Sequence, residues 1–159
     1  MIVTKNQLLA FVRNAENAWT RVVYSFDERT TPITINEINW YRLPLRFSTR
    51  SKIFQYYRRY WSRVYANRLT CSVGFRNIRG RLYSPNADPP ILQDTVTGIR
   101  IIRQTSTRIT VEANFDYPEP IPARYVIAHN PATGALKIIS RRSRIPDFRY
   151  EPCSRGSSR

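Results

Sequence analysis

Histidine and lysine are almost missing from this chain of 159 residues, which has His129 alone and only Lys5, Lys52 and Lys137. With a single imidazole, a Ser-His-Asp or Cys-His arrangement has just one candidate base. His129 follows a β-branched run and precedes a turn, so the plain expectation is a half-exposed strand-end histidine. Carboxylates are scarce as well, eleven in all. Asp88, Asp94, Glu112, Asp116 and Glu119 fall in loops or near strand ends, with no spacing that forces two together for general acid–base work. No G-x-x-x-x-G-K-[ST], no G-x-G-x-x-G and no His/Cys/Asp cluster of ligand spacing occurs, so neither a metal nor any other cofactor is expected. Together these absences point to a protein that binds and does not catalyse.

Cysteine is limited to Cys71 and Cys153, far apart and without a C-x-x-C partner, which excludes a zinc ribbon or a thioredoxin-like motif. A disulfide between them is open only in an oxidising compartment, and the plainer expectation is a buried, apolar Cys71 and an exposed, unpaired Cys153 in a loose tail. No window approaches the roughly twenty apolar residues of a membrane span. The opening MIVTKNQLLAFV is too short an apolar stretch for a secretory leader, and Asn14 and Glu16 soon interrupt it. The setting is therefore extracellular or cell wall if a leader was trimmed, and cytoplasmic otherwise.

What is abundant is aromatic and cationic. Aromatic residues make up 13% and hydrophobic residues 42%, which places the chain among globular proteins rather than disordered basic ones. Its length suits a single core. Twenty-three arginines dominate a formal net charge of +15, a field that favours polyanions or acidic protein faces. Between Glu37 and Asp88 there is no acid, but there are eleven basic residues interleaved with Tyr56, Tyr57, Tyr60, Trp61 and Tyr65. Arg58, Arg59, Arg63 and Arg68 are the candidate contacts to nucleic acid or another anionic polymer, since cations neutralise phosphates while rings stack on bases. The same spacing also suits a core stripe of aromatics with a solvated arginine face.

Periodicity changes along the chain. Residues 4 to about 26 read as an amphipathic helix opened by a Thr4/Gln7 capping box, with Leu8, Val12, Ala15, Trp19 and Val22 on one face. Ile33 to Tyr41 reads as a short strand or an extended crossing segment before Pro44. A second helical stretch runs from Ser48 or Thr49 toward Leu69, as one helix or as two if Ser62 acts as a new N-cap. Ile78 to Tyr83 reads as a strand, followed by a hairpin of 99–103 with 108–115 and another of 124–129 with 135–141, the last closed by Pro131 and Gly134. Helices first and strands later predict an α+β domain over 1–142, N-terminal helices packed on a curved antiparallel sheet. A basic, mobile tail is expected over 143–159. The loop Ser84-Pro85-Asn86-Ala87-Asp88-Pro89-Pro90, stiffened by three prolines, suits insertion into a partner's cleft, with Ser84, Pro85, Asn86, Asp88 and Pro89 as contacts, or serves as a plain connection.

The order AENAW, INWYRLP, FSTRSKIFQYYRRYWSRVYANRL and NIRGRLYSPNADPP resembles the IseA-type DL-endopeptidase inhibitor family of Gram-positive bacteria. The likeness rests on Tyr41 with Arg42, the stretch 49–57, Trp61 with Ser62, and 80–83. The closing GALKII is similar to that family and to NTF2-like domains, which with cystatin-like folds are the alternative architecture. The resemblance implies an inhibitor without catalytic groups, whose protein partner is a cell-wall hydrolase of the NlpC/P60 cysteine-peptidase class. A small-ligand pocket is what an NTF2-like domain would require instead.

Overall fold

The computed structural model describes residues 2–86 and 91–154. Helix α1 spans Lys5–Val23, and both halves of the Thr4/Gln7 capping box form. The repeat of Leu8, Val12, Ala15, Trp19 and Val22 lays one face into the core. Strands β1 (Ile33–Ile35) and β2 (Ile38–Arg42) are a hairpin where a single strand or an extended segment was expected. The turn places Asn36 and Glu37 at φ 50° and 66°, the pair of left-handed residues that matches the twist of the flanking strands.

Pro44 then leads through a 3₁₀ turn, Leu45–Phe47, into α2 (Arg50–Tyr57), capped by Thr49. Helix α3 (Arg63–Cys71) starts afresh at Ser62, whose side chain accepts from the Tyr65 amide. The reason for the break is tertiary. The Ser62 amide donates to the Ile138 carbonyl at 2.8 Å and the Ile138 amide donates to that of Tyr60 at 2.8 Å, so backbone that would continue the helix pairs with a strand instead. Trp61, wholly buried at that junction, donates from its indole to the Ala15 carbonyl at 3.0 Å.

Strands β3 (Arg76–Ile78) and β4 (Arg81–Asn86) form a second hairpin, where one strand over 78–83 was expected. Its turn is Arg79 and Gly80, at φ 51° and 76°. Together the first four strands make an antiparallel sheet in the order β1-β2-β4-β3. The remaining strands, β5 (Val96–Gln104), β6 (Arg108–Phe115), β7 (Ala123–His129) and β8 (Leu136–Arg142), form a second antiparallel sheet in chain order. Both hairpins expected here are present, and Gly134 takes the positive φ of 76° that its turn needs. This sheet curls into a half-barrel, with register shifts in β5 and β7.

The fold is α+β, helices first, with two antiparallel sheets where one was expected. Alternate residues of the second sheet, Ile109, Val111, Ala113 and Phe115 with Tyr125 and Ile127, fill the core beside α1. At the start of β5, Arg13 of α1 donates to the Val96 carbonyl at 2.9 Å and to that of Thr97 at 3.4 Å.

The segment after β8 differs from the loose tail expected of it. Residues 143–154 fold back over the domain, and a 3₁₀ turn at Phe148–Tyr150 buries Arg149 and Tyr150. Cys153 reaches Cys71 at the end of α3, and the two form a disulfide, which corrects the expectation of unpaired thiols. Their separation of 82 residues leaves no local pattern, and only the return of the terminal segment brings them together.

Candidate functional site

The polar centre of the domain is Glu16, whose side chain is fully buried between α1, the second sheet and the terminal segment. Its carboxylate accepts from Arg141 Nε at 2.7 Å, from the Tyr150 hydroxyl at 2.8 Å, from Arg149 Nη2 at 3.4 Å and from the Tyr125 hydroxyl. Asp147 accepts from Arg149 at 2.7 Å, so two carboxylates face two guanidinium groups. Burial opposes the charge on both arginines, yet the surrounding acidic and phenolic groups, Glu16 among them, outweigh it and hold their pKa values above the usual range. The Tyr125 and Tyr150 hydroxyls are pushed up, chiefly by burial. Arg141 lies 4.3 Å and Arg149 4.9 Å from the Tyr150 ring centroid. This cluster is closed to solvent and locks the fold.

His129 is buried rather than half-exposed, with Nδ1 2.9 Å from the Ser106 carbonyl oxygen. The shallow depression beside it is lined by Asn130, Pro131, Leu136 and Lys137, and among the described residues by no carboxylate, serine or cysteine.

The proline-rich loop begins later than expected. Ser84 and Pro85 lie inside β4, opposite Tyr41 and Trp40. Ser84 is fully buried and donates to the Val23 carbonyl at 3.2 Å, so it offers no surface to a partner. Pro85 is half-buried and Asn86 exposed, while Asp88 and Pro89 lie outside the described residues. The register sets Asn86 against Asn39, next to Ile38 at the tip of the first hairpin. Ile38 is 43% exposed and Ile91, where the described chain resumes, 67%. The tip of the first hairpin thus presents an apolar group to solvent.

The four arginines expected to act together are divided by the fold. Arg58 donates to the Trp61 carbonyl at 3.1 Å, and Arg68 to that of Tyr150 at 3.0 Å, so each serves as an internal brace. Arg63 is exposed at the start of α3 beside Asn67 and Pro152. Arg59 belongs to a different set. With Arg21 of α1, Arg46 of the 3₁₀ turn and Lys52 of α2, it lines an open groove of about 850 Å³, together with Ser25, Ser51, Gln55, Phe47 and Tyr56. None of these four cations has a carboxylate partner among the described residues. The interleaved aromatics are core or packed against it: Tyr57 and Trp61 are fully buried, and Tyr56, Tyr60 and Tyr65 flank them.

Sequence reasoning placed Arg46 and Lys52 in the acid-free stretch without singling them out as contacts, and missed Arg21, which sits on the helix before that stretch. Only the packing of α1 beside α2 joins them. No sequence among curated proteins matches the chain. A family model described as the IseA DL-endopeptidase inhibitor matches residues 2–128, which take in all three helices, the first sheet and most of the second. With that coverage, and with the α+β order of elements already described, the chain belongs to the IseA DL-endopeptidase inhibitor family.

Proposed function

We propose that this protein is a non-catalytic inhibitor of cell-wall DL-endopeptidases of the NlpC/P60 cysteine-peptidase class, and that it engages them through the free end of its first sheet. Family membership supports the inhibitory role. The observation that carries the choice of surface is the register of β2 with β4, which puts Ile38, Pro85 and Asn86 at one end of the sheet. Ile38 is exposed there, and an apolar group on a hairpin paired to a neighbouring strand loses little freedom on docking. The Cys71–Cys153 disulfide supports the same reading, because such bonds persist in the oxidising surroundings where wall peptidases act.

The test is to titrate the protein into a DL-endopeptidase hydrolysing a wall-derived peptide. Saturable inhibition at one-to-one stoichiometry is expected. Shortening the segment between Asn86 and Ile91 should weaken it by about tenfold or more, the loss of a single well-buried contact of ~1.4 kcal/mol, with the unfolding midpoint unchanged. An unaltered inhibition constant would remove this surface from the proposal, and failure of the intact protein to inhibit any such enzyme would remove the activity.

A further inference from the structure

The groove between α1 and α2 is not used by the inhibitory surface just proposed, which lies at the end of the first sheet. Its wall carries Arg21, Arg46, Lys52 and Arg59, and among the described residues no carboxylate lines it. Elsewhere four acids answer six arginines: Asp27 takes Arg29 and Arg42, Glu112 takes Arg100 and Arg124, and Glu16 with Asp147 takes Arg141 and Arg149. Four like charges left uncompensated in one concavity repel each other, and a bound anion relieves that repulsion.

Several of these cations are already positioned. Lys52 Nζ donates to the Leu45 carbonyl and to Ser48 Oγ, both at 2.9 Å. Arg21 donates to Asn14 Oδ1 at 3.1 Å. Arg46 lies 5.0 Å above the Phe47 ring and Arg59 5.3 Å above that of Tyr56. Groups held in place before binding lose less freedom on binding. The guanidinium fork matches the paired oxygens of a phosphate, and the hydroxyl of Ser51 adds a neutral donor, while that of Ser25 is already given to the Val22 carbonyl.

Two features define the ligand. A groove of about 850 Å³ is of the size that holds a ligand of many atoms, so a lone phosphate would leave most of the charge unanswered. The two ring faces, which a nucleobase would need for stacking, each carry their own arginine instead. We propose that this groove binds a flexible chain of phosphates, polyphosphate or a phosphodiester backbone, and reads its charge without regard to any base.

Binding to the full chain can be followed by calorimetry with four ligands: inorganic phosphate, a short polyphosphate, an abasic phosphodiester oligomer and an oligothymidylate of the same length. The polyphosphate and both oligomers should bind, the oligomers within about threefold of each other, and inorganic phosphate about a hundredfold or more weaker. Which of polyphosphate and the abasic oligomer binds more tightly identifies the source of the phosphates. Substituting both Arg46→Gln and Arg59→Gln should weaken the oligomers by about tenfold or more and lower the salt slope by about 1 to 2. The matched pair Arg103→Gln and Arg108→Gln, exposed cations on the β5–β6 hairpin, removes the same charge and should leave affinity within about twofold. Equal losses from the two pairs would show that net charge alone binds the ligand and would overturn the site. Oligothymidylate binding about tenfold tighter than the abasic strand would overturn the base-blind reading, and inorganic phosphate matching the oligomers would overturn the polymer.

Discussion

Glu16 stands between two guanidinium groups in the interior, with Asp147 sharing one of them. Removing one partner of a buried ion pair costs about 3–5 kcal/mol, because the remaining charge is stranded without water. Glu16→Ala should therefore lower the unfolding free energy by about that amount in urea titrations. Asp27 works differently, covered itself but paired with arginines that reach solvent. Hydrogen bonds from Arg42 at 2.8 Å and then Arg29 at 3.1 Å hold its carboxyl well below the usual carboxylate range. A depressed folded-state pKa means stability that is complete above the unfolded value of about 3.9 and is lost as pH falls below it. Asp27→Asn should thus flatten the fall in urea midpoint between about pH 5 and about pH 2, and an unchanged acid slope would show that Asp27 does not carry it.

At the level of elements, the disulfide closes a loop whose ends are 82 residues apart. Loops of that size give about 4 kcal/mol in the chain-entropy description, so Cys71→Ser with Cys153→Ser should lower stability by roughly that much, and added reductant should do the same to the native protein alone. The elements also differ in how far they could be read from residues. Helix α1 and the two later hairpins follow from periodicity, a capping box and the Pro131/Gly134 turn, all local signals. The first sheet does not, since its turns use Asn36-Glu37 and Arg79-Gly80 in place of Asn-Gly, and a glutamate at φ 66° has no signature in composition. The break at Trp61 was one of two open readings, and pairing with β8 decided it. Ser84 reads as loop because prolines follow it, yet pairing with Tyr41 draws it into a strand. The basic groove was half legible: Arg59 lies in the acid-free stretch, whereas Arg21 is brought to it only by packing.

For the molecule as a whole, the family model ends at residue 128, but the fold does not. Arg141, Arg149 and Tyr150, all beyond it, answer Glu16. We propose that 143–154 belongs to the domain as fully as α1 does. A chain ending at residue 142 should melt lower than the double cysteine-to-serine variant, because it loses Arg149 and Tyr150 in addition to the disulfide, and equal melting temperatures would reduce the segment to a tether.

The pairing of Ile138 with the α2–α3 junction has a further effect. Strand β8 is the last of its sheet, and Tyr60 and Ser62 occupy its backbone groups at the middle. On the opposite side Arg13 takes carbonyls at the start of β5, and the outermost strands of the other sheet are three residues long. With the two register shifts that break the regularity of β5, these contacts shorten the regular strand edge that a second copy could extend among the described residues, a safeguard against cross-β growth in a chain so rich in aromatic and β-branched residues.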